Sequence, residues 1–356
     1  FQTGNAGHNI EPIVGSHTEG ANIGAHFARL AGATRAGSGV PTNAVLFNDA
    51  VDSAVTKGQA RGDLRATGPY ASGFGAFVPG AGGQLQRDME ITLPHNRTFD
   101  DRQKLLAALD HMRRNAENDE SISAMLAAQQ QAYEVLLGGG VSKALDLANE
   151  DPGVVARYDT AKYARGGERW NKVKRGKSGY YTGQARTIGK QLLTARRLCE
   201  AGCGFVTVHA GYAGVWDMHA DGNNLGMRDG MKAVGYAFDH AVAAFIRDLE
   251  ASGLSEKIML VCTGEMGRTP KLNKRGGRDH WSRLAPLLVY GGGNPGGRII
   301  GRSDSQGGEP ATEAYSSREL VSTILHTLID PTRLRLVPDA SRQLSQLMAH
   351  DTLPLS

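Results

Sequence analysis

Three cysteines in 356 residues are too few, and odd in number, to form a disulfide framework. Cys199 and Cys203 stand four apart near the end of a helical stretch, close enough to touch, and Cys262 stands alone; buried free thiols are the expected use. No segment reaches the ~18 consecutive apolar residues of a membrane span. No signal peptide and no initiator Met are visible, and the chain opens at Phe1, as a processed or truncated product would. Charge of one sign is also scarce: the net is +4 and no long Lys/Arg block occurs. Basic and aromatic residues do not interleave, so nucleic acid is not the expected partner. A mildly basic pocket for an anionic substrate fits the same balance. No internal repeat is evident.

Apolar residues make up 40% of the chain, enough at this length for one sizeable α/β domain. Glycine is abundant, with 47 residues concentrated in the first hundred and around 291–308, which predicts many loops. Residues 1–98 read as a Gly-rich part of the α/β domain, with a helix near 21–30 and a short strand at Ala44–Phe47. Residues 99–180 read as a helical insertion or cap. Within it, Phe99-Asp100-Asp101 starts a helix with Leu105, Leu106, Leu109 and Met112 on one face; 121–137, 141–148 and 152–158 follow at helical period. From 181 to 356 the pattern alternates. A helix over 185–201 precedes a strand at Phe205–His209, and a helix over 228–252 precedes a strand at Lys257–Cys262. A strand at Ala285–Tyr290 and a helix over 316–328 complete the pattern, the last with Ser316 and Glu319 set as a capping box. The fold expected is a doubly wound, mostly parallel sheet flanked by helices, with 257–262 and 285–290 as parallel strands.

Chemistry-bearing residues gather just past the strands, where parallel α/β sheets place ligand sites. Asp217 and His219 follow strand 205–209. Glu265 follows strand 257–262. Asp279 and His280 precede strand 285–290. If the strands are neighbours, these five carboxylates and imidazoles converge at one sheet edge, and their oxygen and nitrogen donors suit zinc, manganese or iron. Taken singly, each is more simply a turn residue, a cap or a solvated carboxylate; the convergence is what points to a metal centre. Arg268 and Arg278 flank the cluster and suit the bidentate binding of phosphate or sulfate oxygens, whereas Lys271 and Arg275 read equally well as a solvated basic loop. His209, at the end of its strand, is either a partner of the ligands or a core histidine. His8 and His17 read first as loop histidines and second as members of the site rim.

The segments Gly264-Glu265-Met266-Gly267-Arg268-Thr269-Pro270, Gly277-Arg278-Asp279-His280-Trp281 and Trp216-Asp217-Met218-His219-Ala220-Asp221-Gly222-Asn223-Asn224 resemble the bacterial domain-of-unknown-function 1501 family. That family is grouped with the alkaline phosphatase and sulfatase superfamily. Further resemblance lies in 101–110, 144–147 and 191–198. It implies an alkaline-phosphatase-like sheet in which Asp217, His219 and His280 form one metal set and Glu265, with Asp279, contributes to a second. Related enzymes carry Asp-His where this chain has Glu265-Met266, and methionine is a poor ligand for a hard divalent ion. The superfamily's nucleophile comes from a segment that would precede Phe1, so no covalent nucleophile is named. The resemblance also implies export to the periplasm or another extracytoplasmic location. The expectation is a hydrolase of small anionic phosphate or sulfate esters, with a divalent ion, zinc first and then calcium, magnesium or manganese. Arg268 and Arg278 would act in catalysis, with neither membrane span nor nucleic acid, and homo-oligomers remain open. The alternative is a non-catalytic binding or structural protein that keeps the fold.

Overall fold

A computed structural model of the chain describes residues 1–8, 20–36, 38–55, 60, 62–80, 139–164, 177–211, 214–334 and 342–355. The helices expected over 99–137, and His17, lie outside these residues.

Helix α1 (Ile23–Ala31) begins where the Asn22 side chain accepts from the Gly24 amide, and it ends at Gly32, whose φ of +88° stops the helix. It lies against strands β1 (Asn43–Leu46) and β2 (Phe205–Val208), which pair in parallel with Asn43 opposite Phe205 and Leu46 opposite Val208. The approach is close: a Cβ on Gly24 would run into the Asn43 side chain and the Phe205 ring. Side chains of a strand alternate between faces. Ala44, Leu46, Val206 and Val208 join a core with Ala195 and Leu198, while Val45 packs with Leu64 and Ala76, and Phe205 packs with Ile23. Both faces of this parallel pair are therefore covered, as the sequence pattern requires.

The helix behind one face is α4 (Lys177–Ala201), reached after α2 (Gly140–Leu145) and α3 (Pro152–Arg157). Its buried Gln191 donates to the Leu46 carbonyl at 3.2 Å and the His209 carbonyl at 3.4 Å, satisfying acceptors where the strands end. The expected division at 180 falls inside this helix. The stretch after α2 packs into the main core: Tyr158 is fully buried with Leu192, Leu193, Phe245 and Leu249, and Leu147, Val154 and Tyr163 lie against them.

A buried ionic network ties this stretch down. Arg196 meets Asp248 at 3.1 Å, Glu150 at 2.8 Å and Glu200 at 2.6 Å. Tyr158 donates to Asp248 at 2.9 Å, and Arg197 binds Glu150 at 2.7 Å. Burial favours the neutral Tyr158 phenol, and Asp248 reinforces this, so its pKa is pushed well up. Burial alone would raise the pKa of Glu150, but Arg197 and Arg196 together hold it below the ordinary value.

A continuous helical run follows β2. It comprises α5 (Met227–Gly230), a π-turn at Met231–Gly235, and α6 (Tyr236–Ser252). Gly253, at φ +67°, closes it as a Schellman cap: its amide donates to Glu250 and that of Leu254 donates to Leu249 at 2.9 Å. Beyond it lie β3 (Met259–Cys262), β4 (Gly267–Arg268), β5 (His280–Trp281) and β6 (Leu288–Gly291). Here the parallel expectation is corrected. β3 pairs with β6 antiparallel, Met259 opposite Gly291, and β4 pairs with β5 antiparallel. A parallel pair needs a crossover, usually a helix, and between β3 and β6 the chain holds only the β4–β5 excursion. The fold is thus mixed α/β, and among the described residues its strands form three two-stranded sheets, not one continuous doubly wound sheet. Helix α7 (Ser317–Leu328) has the expected capping box between Ser316 and Glu319, and α8 (Pro331–Leu334) and α9 (Arg342–Met348) close the chain. No described helix is long and apolar enough to cross a membrane. The three cysteines are free, and burial pushes the Cys199 thiol up to about 12.

Removing Asp248 would leave the Arg196 guanidinium buried with fewer acceptors. Asp248→Ala should lower unfolding free energy in urea by about 3–5 kcal/mol, against little change for the exposed Arg283→Ala. The Glu150 contribution has a defined pH sign. Its folded pKa is depressed, so its stabilisation is full above the unfolded value of about 4.3 and is lost as pH falls through the folded value. A Glu150→Gln variant should therefore lose its stability deficit relative to wild type as the pH of the unfolding titration is taken below 4.3.

Candidate metal centre

The loop from Gly214 to Gly226 is pinned to the core by Val215, Trp216, Met218 and Leu225. Trp216 donates from its indole to the Ala210 carbonyl at 2.5 Å and stands edge-on to Phe238. Met218 is buried with Val215, Leu225 and Tyr181. With those two held in the core, the buried Asp217 and the half-buried His219 come together on one side of the loop. The β4–β5 pair brings the next components. Its register sets Arg268 opposite His280, and cross-strand partners share a face. Both reach Asp217: Arg268 Nη1 donates to Oδ1 at 2.6 Å and His280 Nε2 lies 3.1 Å from the same oxygen.

Backbone contacts hold the two loops in register. The Arg278 amide donates to the Met218 carbonyl at 3.0 Å, and Gly277 rests so close to His219 that a Cβ there would collide with the His219 backbone. Asn273 works as a clasp. Its Nδ2 donates to the His219 carbonyl at 3.0 Å, and its Oδ1 accepts from the Gly277 amide at 2.9 Å. The N-terminal residues add a third side, fixed by the Ala285 amide on the Phe1 carbonyl and the Gln2 amide on the Tyr315 carbonyl, both 2.7 Å. They deliver His8, whose Nε2 lies 3.2 Å from Asp217 Oδ2 and whose ring meets His280 edge-on at 4.6 Å.

Three imidazoles thus surround one carboxylate, and each is anchored through Nδ1. That of His219 lies 3.1 Å from Asp279 Oδ1, that of His8 lies 3.2 Å from Glu265 Oε1, and that of His280 lies 2.7 Å from the Ala6 carbonyl. Carboxylates and carbonyls only accept, so each Nδ1 carries the proton and donates. The Nε2 atoms then face Asp217, those of His219 and His280 at 2.8 and 3.1 Å from Oδ1. The Nε2 atoms of His219 and His280 are also 3.0 Å from each other. An approach this close is satisfied either by an N–H of one ring donating to the other or by a small cation placed between them. His8, Asp217 and His280 offer ligand atoms all within 4.8 Å of one another. Zinc bonds of about 2.0–2.2 Å imply ligand separations of about 3–4 Å, so the donor set fits a metal ion.

Asp217 stays ionised in this setting. Burial alone would raise its pKa, but Arg268, by hydrogen bond and charge, then His219 and His280, hold it below the ordinary carboxylate value. The pKa of Asp279 is also lowered, chiefly by its hydrogen bond with His219 and then by Asn273.

Of the residues expected from sequence, Asp217, His219 and His280 come together with Arg268 against them. Asp279 and Glu265 stand one step out, on the far nitrogens of His219 and His8, in the position of carboxylates that orient metal-binding histidines. Arg278 points elsewhere, donating to the Thr269 and Pro270 carbonyls at 2.7 and 2.8 Å. Arg275 and Lys271 are exposed. His209 lies against the Phe47 ring with no hydrogen bond to its Nδ1 among the described residues, and burial, first of its influences, lowers its pKa. Sequence reasoning ranked His8 too low and passed over Asn273. Nothing periodic marks His8. Asn273, four residues before Gly277, does carry the sequence signal of an Asx turn.

A mixed α/β fold with a carboxylate–imidazole cluster able to hold a metal ion defines the class. A family model described as a protein of unknown function, DUF1501, matches residues 8–345, and the chain belongs to that family. No curated protein and no solved structure matches it.

The outer carboxylates give a graded expectation. Asp279→Asn should weaken metal binding by about 10–100-fold in a chelator competition, while the fold, followed by circular dichroism, is retained.

Proposed function

We propose that this protein is a metal-dependent hydrolase of phosphate or sulfate esters, with zinc as the first candidate ion. One observation carries the reading: three histidines, each with Nδ1 committed to an acceptor, turn Nε2 toward a single ionised carboxylate. Nitrogen and oxygen donors of this kind suit zinc, with manganese, magnesium or calcium as weaker matches. When bound, a divalent ion supplies Lewis acidity toward an ester oxygen and makes a hydroxyl or water more acidic.

The protein's own residues do the rest. His8, His219 and His280 with Asp217 hold the ion. Asp279 and Glu265 fix the ring orientations. Arg268 spends Nη1 on Asp217 but retains other guanidinium donors, which can bind the non-bridging oxygens of the anion and stabilise charge that builds there. Arg278 supports this by bracing the 269–270 backbone through which Arg268 is positioned. The resemblance to exported proteins supports a periplasmic or extracytoplasmic location, and a small anionic ester is the expected partner.

Metal content by mass spectrometry, wild type against Asp217→Ala/His280→Ala, tests the reading. About one transition-metal ion per chain, lost in the double variant, is expected. Turnover of aryl phosphate or aryl sulfate should vanish on chelation and return with zinc, and Arg268→Ala should cut kcat/KM by about 100-fold or more. A folded wild type that takes up no metal overturns the proposal. Bound metal without turnover of either ester leaves the binding or structural alternative.

A further inference from the structure

Beyond His219, the same loop walls a groove of about 440 Å³ that the reading above does not use. Its floor is backbone and small side chains, including Ala220, Gly226 and Gly276, and its charged rim is Arg228, Asp229 and Arg275. The floor is firmly built. The Ala220 amide donates to Leu225 at 3.2 Å, the Met227 amide donates to Gly276 at 3.1 Å, and a Cβ on Gly226 would come within 3.0 Å of the Gly276 carbonyl. Ala220, where the centre passes into the groove, has φ +57° and is the one non-glycine residue with positive φ among those described. A strained backbone of that kind persists only where its surroundings hold it.

The chemistry of the lining is selective. No aromatic residue contributes to it, so it offers no platform for a flat apolar group. Neither Arg228 nor Arg275 forms an ion pair among the described residues, even with Asp229 in the same rim. Two guanidinium groups on one cavity rim, Arg275 also near enough to Asp279 to help hold its carboxyl ionised, are suited to oxyanions, which they grip by paired N–H donors. The volume falls within the range of small-ligand sites.

We propose that this groove receives the alcohol side of the ester and selects alcohols that carry a second anionic group, a phosphate, sulfate or carboxylate, through Arg228 and Arg275. The assignment of the groove to the alcohol side rests on the ester-hydrolase reading; its affinity for a doubly anionic ligand does not. Both arginines are exposed, so Arg228→Gln/Arg275→Gln should fold as wild type does, which circular dichroism checks.

Kinetics would compare 4-nitrophenyl phosphate and sulfate with a hexose bisphosphate and a hexose disulfate. The double variant should raise KM for the doubly anionic esters by about tenfold or more, with kcat and the singly anionic esters unchanged. A separate arm titrates the bisphosphate, the disulfate and a tricarboxylate into each protein by calorimetry, whether or not any ester is turned over. Binding by wild type that weakens about tenfold in the variant upholds the groove, and the tightest probe names the anion. If that holds while no ester is hydrolysed, the hydrolase reading alone falls. No binding of any doubly anionic probe by wild type, or an equal change for singly and doubly anionic ligands, overturns the proposal.

Discussion

Everything at the centre turns on the surroundings of the Asp217 carboxylate. One guanidinium and three imidazoles approach it within 3.2 Å, drawn from three separate parts of the chain. A carboxylate can satisfy several donors, yet the rings have already committed their Nδ1 protons elsewhere. What faces Asp217 is therefore a set of Nε2 atoms, those of His219 and His280 only 3.0 Å apart. Imidazole nitrogens converging this closely on a carboxylate are a donor set that could hold a metal ion. Arg268 steadies Asp217 with one Nη1 donor and has other guanidinium donors left, which is what the proposed anion-binding role requires.

Such a cluster demands a rigid frame, and the frame is made of backbone more than of side chains. Gly277 lets one loop lie directly on another at His219, where any Cβ would collide. Asn273 then locks the pair by serving both strands of the crossing. Further away, Arg196 and Arg197 bind the 140–158 stretch to α4 and α6 through Glu150 and Asp248. That buried network carries a large desolvation cost, which its close, multiply hydrogen-bonded geometry offsets. It lies under the helices that carry the site loop, not in the site itself.

The elements that repeat locally were legible in the sequence. The capping box at Ser316, the Gly253 stop and the helix ending at Ala201 follow from side-chain spacing and local capping chemistry, and the structure has them. The direction of β3 and β6 was not legible, because an apolar run has the same composition whichever way its partner travels. Asp217, His219 and His280 could be picked out since each follows or precedes a strand. Their division of labour with Asp279 and Glu265 could not, since inner and outer carboxylates differ only in which ring nitrogen they face. Arg278 shows the reverse limit. Its place beside the cluster suggested anion binding, yet its guanidinium closes on two carbonyls of its own loop. His8 was hidden for a third reason: its position depends on β-bridge and amide contacts from residues 1–4 to residues 282–316, a separation no local pattern encodes.

The same long-range contacts make the centre part of the fold and not an addition to it. His8 arrives on a short segment held by amides at Gly4, Gln2 and Ala285 and by the His280 ring on Ala6. Asp217 and His219 come from the loop after β2, and His280 comes from β5. A ligand that binds only the assembled set stabilises it by mass action, and here assembly means docking all three segments. The Arg268 and imidazole contacts to Asp217 already join these segments, so a metal ion bound there would strengthen a docking that the protein's own contacts assemble.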